Sequence, residues 1–394
     1  MIIQHFLDVT CVAFAGPTGR GGGIDKQWGL LWAERTLSMC NTVANFLNDS
    51  GPAKAMLTHN QIEVYGKKRQ ITVNVPTRFG SNFFVVETIL KSKAALIQTV
   101  GAEAWSNVCA GNGAKVKDII ERTLPDAMYF WENVDMLLEL LRPFSDAVHQ
   151  LEADRPMLGQ CYEVILSLHK HVQDFTKKHN ALREGVVVVR LNETFERRLN
   201  ASGGGARAPI YNPAYAAAYM LDPYNAVVDK LGIWNVPPMQ REHQAEVLEL
   251  VQRVGGPKSA SDLRRLMLTG YPKFMGDFVA SVADADEKKA AAEAVLGKRK
   301  FAVMAPMSSR SRIWQLYGTE SFQHLAPVVE RLMTCHATSC ATERNWSMWG
   351  RVYSASRNAL GMERAKKMIA ICTNTKQNIG DDFSVSLAVI EGEI

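Results

Sequence analysis

The chain has 394 residues, 47% of them hydrophobic and 22% charged, and carries a net charge of +5. That is room for two to three globular domains or subdomains, and so mild a basicity permits nucleic-acid contact without requiring it. The seven cysteines lack metal-ligand spacing and are read as reduced, and the longest aliphatic run, Val186 to Val189, is too short to span a membrane.

Taken in chain order, residues 3–14 read as a strand or short helix. No basic segment precedes them, which argues against a secretory signal and for an intracellular, reducing home. Gly16-Pro17-Thr18-Gly19-Arg20-Gly21-Gly22-Gly23 invites a phosphate-loop reading. That motif needs Gly-Lys-Ser/Thr at its end, and Ile24-Asp25 stand there instead, so a flexible loop is predicted. Residues 26–49 read as a helix with Leu30, Leu31, Leu37 and Val43 on its apolar side, and 53–64 as another. Ile71-Thr72-Val73-Asn74-Val75 alternates as a half-buried strand. Residues 83–100 read as one helix with Val86, Ile89, Leu90, Ala94 and Ile97 inward.

From about 115 to 310 the periodicity is nearly all helical. Val134, Leu137, Leu138, Leu141, Phe144 and Val148 form one stripe, and Leu158, Tyr162, Ile165, Leu166 and His169 another. Breaks are predicted at 202–207, at Pro237-Pro238 and at Gly255-Gly256-Pro257, with one or two strands near 186–190 as an alternative to helix there. The acids and histidines of this block are assigned to solvated faces, His169 and His171 included.

Near the end, Leu325, Val328, Val329, Leu332, Met333 and His336 repeat with helical spacing. Thr338 or Ser339 can cap the following helix, which places Glu343 in its first turn, where a negative charge is favoured. Glu343, Trp346, Ser347 and Gly350 share one face. Between Glu343 and Lys367 the cations are Arg344, Arg351, Arg357, Arg364, Lys366 and Lys367, against the acids Glu343 and Glu363. A last stripe, Met362, Ala365, Met368, Ile369 and Cys372, lies opposite Arg364, Lys366 and Lys367. It can dock on its own core, on a partner chain, or on both.

Several of these segments together resemble the hAT family of DNA transposases. The C-terminal signature of that family is matched by Ser339-Cys340, Glu343-Arg344 with Ser347, Gly350, and Arg357-Asn358 with Leu360, in the Glu-Arg-Asn-Trp-Ser form. Trp314-Gln315-Leu316-Tyr317-Gly318 is similar to the Trp-x-x-Tyr-Gly element upstream of it. Tyr215 to Pro223, Val75-Pro76-Thr77-Arg78-Phe79 and His5-Phe6-Leu7-Asp8 resemble further family segments, all in family order.

The resemblance implies a mostly α chain with a small β component. It would be an incomplete RNase H-like α/β fold interrupted by an all-helical insertion domain. The implied boundaries are 1–100 for the partial RNase H-like region, 101–310 for the insertion and 311–394 for a C-terminal dimerisation region. It implies Glu343 as the third carboxylate of a two-metal, Mg²⁺-dependent strand-transfer site. It also implies DNA contact through Arg78, Phe79, Arg344, Arg351 and Arg357. Dimerisation falls to Trp346, Leu360, Met368, Ile369 and Cys372. The family commonly has Trp where Phe79 stands; Phe79 keeps a face for base stacking and loses the indole N–H. The other reading of this pair sets Arg78 against an acid and Phe79 in the core.

No position matches the two catalytic aspartates, and Asp8 belongs to the His-x-Leu-Asp segment rather than to the metal site. The expectation is therefore a transposase-derived homodimer in the nucleus with DNA contact, no membrane, no enzymatic activity of its own and no cofactor. The alternatives are the C-terminal portion of an active transposase, with Mg²⁺ as cofactor and Glu343 as a metal ligand if upstream aspartates exist, and a structural helical scaffold that binds protein.

Overall fold

The computed structural model describes residues 31–75, 80–108, 111–152, 157–179, 211–279, 314, 322–337, 349–350 and 361–379. These residues are mostly helical, and the one sheet among them is a two-stranded ribbon. The chain divides into two compact units, one of residues 1–149 and 164–212, the other of 150–163 and 213–394.

In the first unit α1 (Leu31–Asp49) buries Ala33, Thr36, Cys40, Val43, Ala44 and Leu47, the three-and-four spacing of a helix with one inward face. Cys40 sits in that face, and burial pushes its thiol pKa well up. A tight corner leads to α2 (Gly51–Tyr65). Ser50 accepts the Ala53 N–H at 3.4 Å, Pro52 lies in the first turn, and Gly66 closes the far end at φ 70°, a left-handed conformation suited to glycine.

The helix predicted over 83–100 is two helices, α3 (Ser81–Lys91) and α4 (Lys93–Gly101), broken at Ser92. Phe83, Val85, Val86 and Ile89 are buried before the break, and Ala95, Leu96 and Val100 after it, while Ala94 and Ile97 are exposed. The break follows from buried polar partners that periodicity cannot register. Ser92 Oγ accepts from Gln61 Nε2 at 3.4 Å, and Asn60 Nδ2 donates to Thr99 Oγ1 at 2.9 Å. Buried amides must be satisfied in this way, so α2 and α4 are joined through polar as well as apolar contacts.

The predicted strand over 71–75 is absent. The five residues are half-buried and irregular, and no ladder pairs them. Side chains hold the segment instead. The Thr72 N–H donates to Thr88 Oγ1 at 3.1 Å, and Ser81 Oγ lies 2.6 Å from Asn74 Oδ1 and 3.1 Å from the Val75 carbonyl. Alternation alone therefore mistook a side-chain-tethered segment for a strand.

After α5 (Glu103–Val108) and α6 (Asn112–Glu121), the long α7 (Phe130–Leu151) buries the whole predicted stripe Val134, Leu137, Leu138, Leu141, Phe144 and Val148. Trp105 and Trp131 fill the core and donate their indole N–H groups to the carbonyls of Gly113 at 3.2 Å and Ile120 at 3.1 Å. In α8 (Leu158–Lys178) Leu158, Tyr162 and Ile165 are buried as predicted, but Leu166 is exposed and His169 half-buried. Nor are the histidines merely solvated. His171 Nε2 lies 3.2 Å from the Leu140 carbonyl, and His179 Nε2 lies 3.1 Å from Glu139 Oε2. Burial acts to raise the Glu139 pKa, but the hydrogen bonds from Lys178 and His179 outweigh it and hold the carboxyl below its usual range.

The second unit is built around α9 (Pro213–Met220), α10 (Arg241–Gly255), α11 (Pro257–Arg265) and α12 (Ala326–Thr334). A π-turn at Leu266–Gly270 follows α11. The predicted break at Gly255-Gly256-Pro257 is a sharp corner in which Gly256 takes φ 82° and Pro257 opens the next helix. Leu325, Val328, Val329, Leu332 and Met333 are buried as their spacing predicts. His336 is exposed, because α12 ends at Thr334 and the stripe cannot run past it.

The small β component lies where no strand was predicted. β1 (Val227–Val228) pairs antiparallel with β2 (Trp234–Asn235). Asp229 organises the turn by accepting from the Leu231 and Ile233 N–H groups, each at 2.9 Å, with Gly232 at φ 76°. The strands discussed near 186–190 lie outside the described residues. No described helix is long and apolar enough to cross a membrane.

Candidate functional site

Two of the segments singled out in the sequence meet inside the second unit. The α9 segment is almost wholly buried: Tyr215, Ala216, Ala217, Ala218, Met220, Leu221 and Asp222 are all inside. Asp222 ends the helix by accepting the Tyr224 N–H at 3.1 Å, which fixes a 3-10 turn over Pro223–Asn225. Trp314 is also fully buried, and its Nε1 donates to the Leu221 carbonyl at 2.8 Å across 93 residues of sequence. Its ring lies 4.6 Å from that of Phe274. This contact places Trp314 in a structural role. It closes the carbonyl end of α9, where no intrahelical donor remains.

A polar cluster that the sequence reading missed lies in the same unit. The Tyr162 hydroxyl is 2.8 Å from His243 Nδ1, and the Tyr219 ring is 5.1 Å from that of Tyr162. Burial raises the Tyr162 pKa to about 12, assisted by the negative fields of Tyr219 and Glu246. The phenol therefore stays protonated and shares a hydrogen bond with a neutral imidazole. Burial lowers the His243 pKa, against the opposing pull of Glu246 and Glu242. Protonating His243 would make both ring nitrogens donors and oblige the phenol to accept.

Because the folded-state pKa is depressed, the neutral ring is the stabilising form. Its contribution is present above the ordinary histidine value and is lost as pH falls below it towards the folded value. The urea midpoint is expected to fall between pH 7.5 and pH 5.5, and His243→Gln to remove part of that slope. Identical slopes in the variant and the parent would eliminate His243 as a contributor. The signal in the sequence is thin: His243 and Glu246 share a helix face, but Tyr162 is distant in the chain.

The C-terminal stripe falls on α13 (Met362–Ile379). Ala365 and Ile369 are buried, Met368 is half-buried, and Trp349 packs against this pair. Met362, predicted on the same inner face, is 51% exposed, and Ile371 is 55% exposed. A position at the first turn of a helix lacks a preceding turn to cover it, so the stripe is buried only from Ala365 onward. Arg364, Lys366 and Lys367 are exposed as predicted, and Lys366 pairs with Glu363 at 2.8 Å.

Of the predicted site residues, Met368 and Ile369 are thus placed on one helix. The backbone of Cys372 belongs to the same helix, and its side chain lies outside the described residues. Glu343, Trp346, Leu360, Arg344, Arg351 and Arg357 lie outside the described residues, as do Arg78 and Phe79. Among the described residues no group of three or more His, Cys, Asp or Glu is placed to hold a metal ion. Cys40 and Cys161 are buried free thiols and Cys335 an exposed one.

No protein-family model matches the chain, and no curated protein matches it.

Proposed function

We propose that this chain is a transposase-derived module that forms a homodimer and contacts DNA in the nucleus. The observation that carries the reading is the C-terminal run Ser339-Cys340 to Gly350 with Arg357-Asn358 and Leu360, preceded in the same order by four further segments that resemble hAT transposases. On this reading the helical bulk corresponds to the insertion domain of an RNase H-like fold, and 311–394 to the dimerisation region. Glu343 matches the family's catalytic glutamate and would be its Mg²⁺ ligand. No residue of this sequence matches the two aspartates, so two-metal chemistry is not assigned to these 394 residues.

The face of α13 supports the dimer. Ala365 and Ile369 are covered by the chain itself, while Met362, at helical spacing from both on the same side of α13, is exposed. A second copy brought up by a two-fold axis would cover the same residues on both chains.

Light scattering is expected to give a dimer mass, and Met362→Glu a monomer with an unchanged helical circular-dichroism spectrum. A monomeric parent protein would end the dimer reading. Binding to duplex DNA is expected to weaken steeply with salt, because each neutralised phosphate releases counterions. Replacing Arg344, Arg351 and Arg357 by Gln should lower the logarithmic salt slope by about 3. Affinity that ignores salt would end the DNA reading and favour a protein-binding scaffold.

A further inference from the structure

Beside the C-terminal cations, a second stretch of this chain is strongly positive. Between Gly66 and Gln98 stand Lys67, Lys68, Arg69, Arg78, Lys91 and Lys93, with Glu87 as the only acid. That excess is as large as the net +5 of the entire chain, so the remaining residues balance. Clustered cations of this kind are the electrostatic footprint of a surface that meets a polyanion.

The fold of the first unit gathers Lys67, Lys68, Arg69, Lys91 and Lys93 instead of dispersing them. The loop after α2 is drawn to the Ser92 corner by three contacts. Gln61 Oε1 accepts the Arg69 N–H at 3.0 Å, Gln61 Nε2 reaches Ser92 Oγ, and the Arg69 guanidinium donates to the Lys91 carbonyl. Lys67 and Lys68 stand exposed on that loop, and Lys91 and Lys93 stand exposed on either side of Ser92.

Several of the charges are held in place by groups that do not cancel them. The Arg69 guanidinium lies 3.6 Å from the Tyr65 ring centroid, and Lys93 Nζ lies 5.1 Å from that of Trp131. Glu87 is shared: Lys91 Nζ and Arg142 Nη1 each lie 3.0 Å from its Oε1. One carboxylate thus serves two cations and leaves positive charge over. Burial acts to raise the Glu87 pKa, and the hydrogen bonds from Lys91 and Arg142 overcome it, so the acid stays ionised.

We infer that the loop Lys67-Lys68-Arg69 and the Ser92 corner between Lys91 and Lys93 form a binding surface for the sugar-phosphate backbone of nucleic acid. Arg69, Lys91 and Lys93, held at set positions beside the exposed Lys67 and Lys68, suit a stiff polymer with charges at regular intervals, one per about 1.7 Å of duplex. A fluid anionic lipid surface would gain nothing from the tethering. Contacts of this kind position a backbone and carry no base sequence. The surface uses none of the C-terminal arginines, and it rests on the DNA-contact reading only for the duplex with which it is tested.

The test is the salt dependence of binding to a fluorescently labelled 30-base-pair duplex, with the full chain. Lys67→Gln/Lys68→Gln/Lys93→Gln alters exposed side chains only and is checked by its melting curve. The logarithmic salt slope is expected to fall by about 3, with at least a ten-fold loss of affinity at low salt. The corresponding Lys→Arg variant should bind as the parent does, because charge and not the particular side chain carries the contact. If the Gln variant binds like the parent while the C-terminal arginine variant loses affinity, the surface proposed here is wrong and the DNA reading stands. If the parent chain fails to bind the duplex, both are wrong. Binding to phosphatidylserine vesicles in place of DNA would likewise overturn the proposal.

Discussion

Trp314→Ala is expected to lower stability by about 3–5 kcal/mol, the range for removing a fully buried aromatic side chain. The side chain is wholly inside, lies against Phe274, and gives its N–H to the Leu221 carbonyl. Two losses combine: a cavity beside Phe274, and a helix-end carbonyl without its donor. Trp314→Phe separates them, since it keeps most of the ring and loses the N–H. It is expected to cost about 1–3 kcal/mol, the usual penalty for a buried polar group left without its partner. Urea unfolding followed by circular dichroism reads both. A Trp314→Ala protein with the parent midpoint would remove the residue from the core of the second unit and detach it from the α9 segment.

The second large effect concerns a glycine whose helical position would ordinarily favour alanine. Gly255 ends α10, and alanine is the better helix former by about 1 kcal/mol. Here packing wins over propensity. A Cβ at Gly255 would lie 2.5 Å from Val328 Cγ2 and 2.6 Å from Ser259 Oγ. Ser259 cannot readily move away, because it is fully buried and its hydroxyl reaches the Gly255 carbonyl at 2.8 Å and the His324 carbonyl at 2.7 Å. Overpacking of this kind costs about 1–3 kcal/mol. Gly255→Ala is therefore expected to destabilise, and Gly255→Val more so. The double variant Gly255→Ala/Val328→Ala should recover part of the loss, because it removes one of the opposing atoms. A stabilised Gly255→Ala would show that α10 and α12 are not in close contact there.

These two residues mark the boundary of what a linear reading can find. The stripes Val134 to Val148 and Leu325 to Met333 are legible because each is a local period, and every member lands inside. The corner at Gly255-Gly256-Pro257 is legible because left-handed backbone and a proline at a helix start are properties of those residues themselves. Nothing local says that Gly255 must be small for Val328, or that Gly270 must be small for Phe322, whose Cζ would lie 2.4 Å from an added Cβ. Periodicity also failed at Ser92, where a buried partner on another helix broke a continuous apolar pattern.

The candidate site divides in the same manner. Its motifs are visible as strings of residues, and the resemblance ranks Met368, Ile369 and Cys372 together. Packing separates the apolar positions of α13 into Ala365 and Ile369, closed in with Trp349, and Met362, left exposed. Tyr162 and His243 had no mark in the sequence as partners, since a hydrogen bond across two helices depends on their approach.

What this sequence determined by itself is the helical class, most of the inward faces, the capped and glycine-turned corners, and the concentration of charge between Gly66 and Gln98. The tertiary structure decided which polar groups pair, which glycines have to be small, and that the Lys67–Arg69 loop and the Ser92 corner stand together. The reason is range: propensity, periodicity and charge are carried by neighbours in the chain, whereas partners such as Trp314 and Leu221 exist only once distant segments are packed.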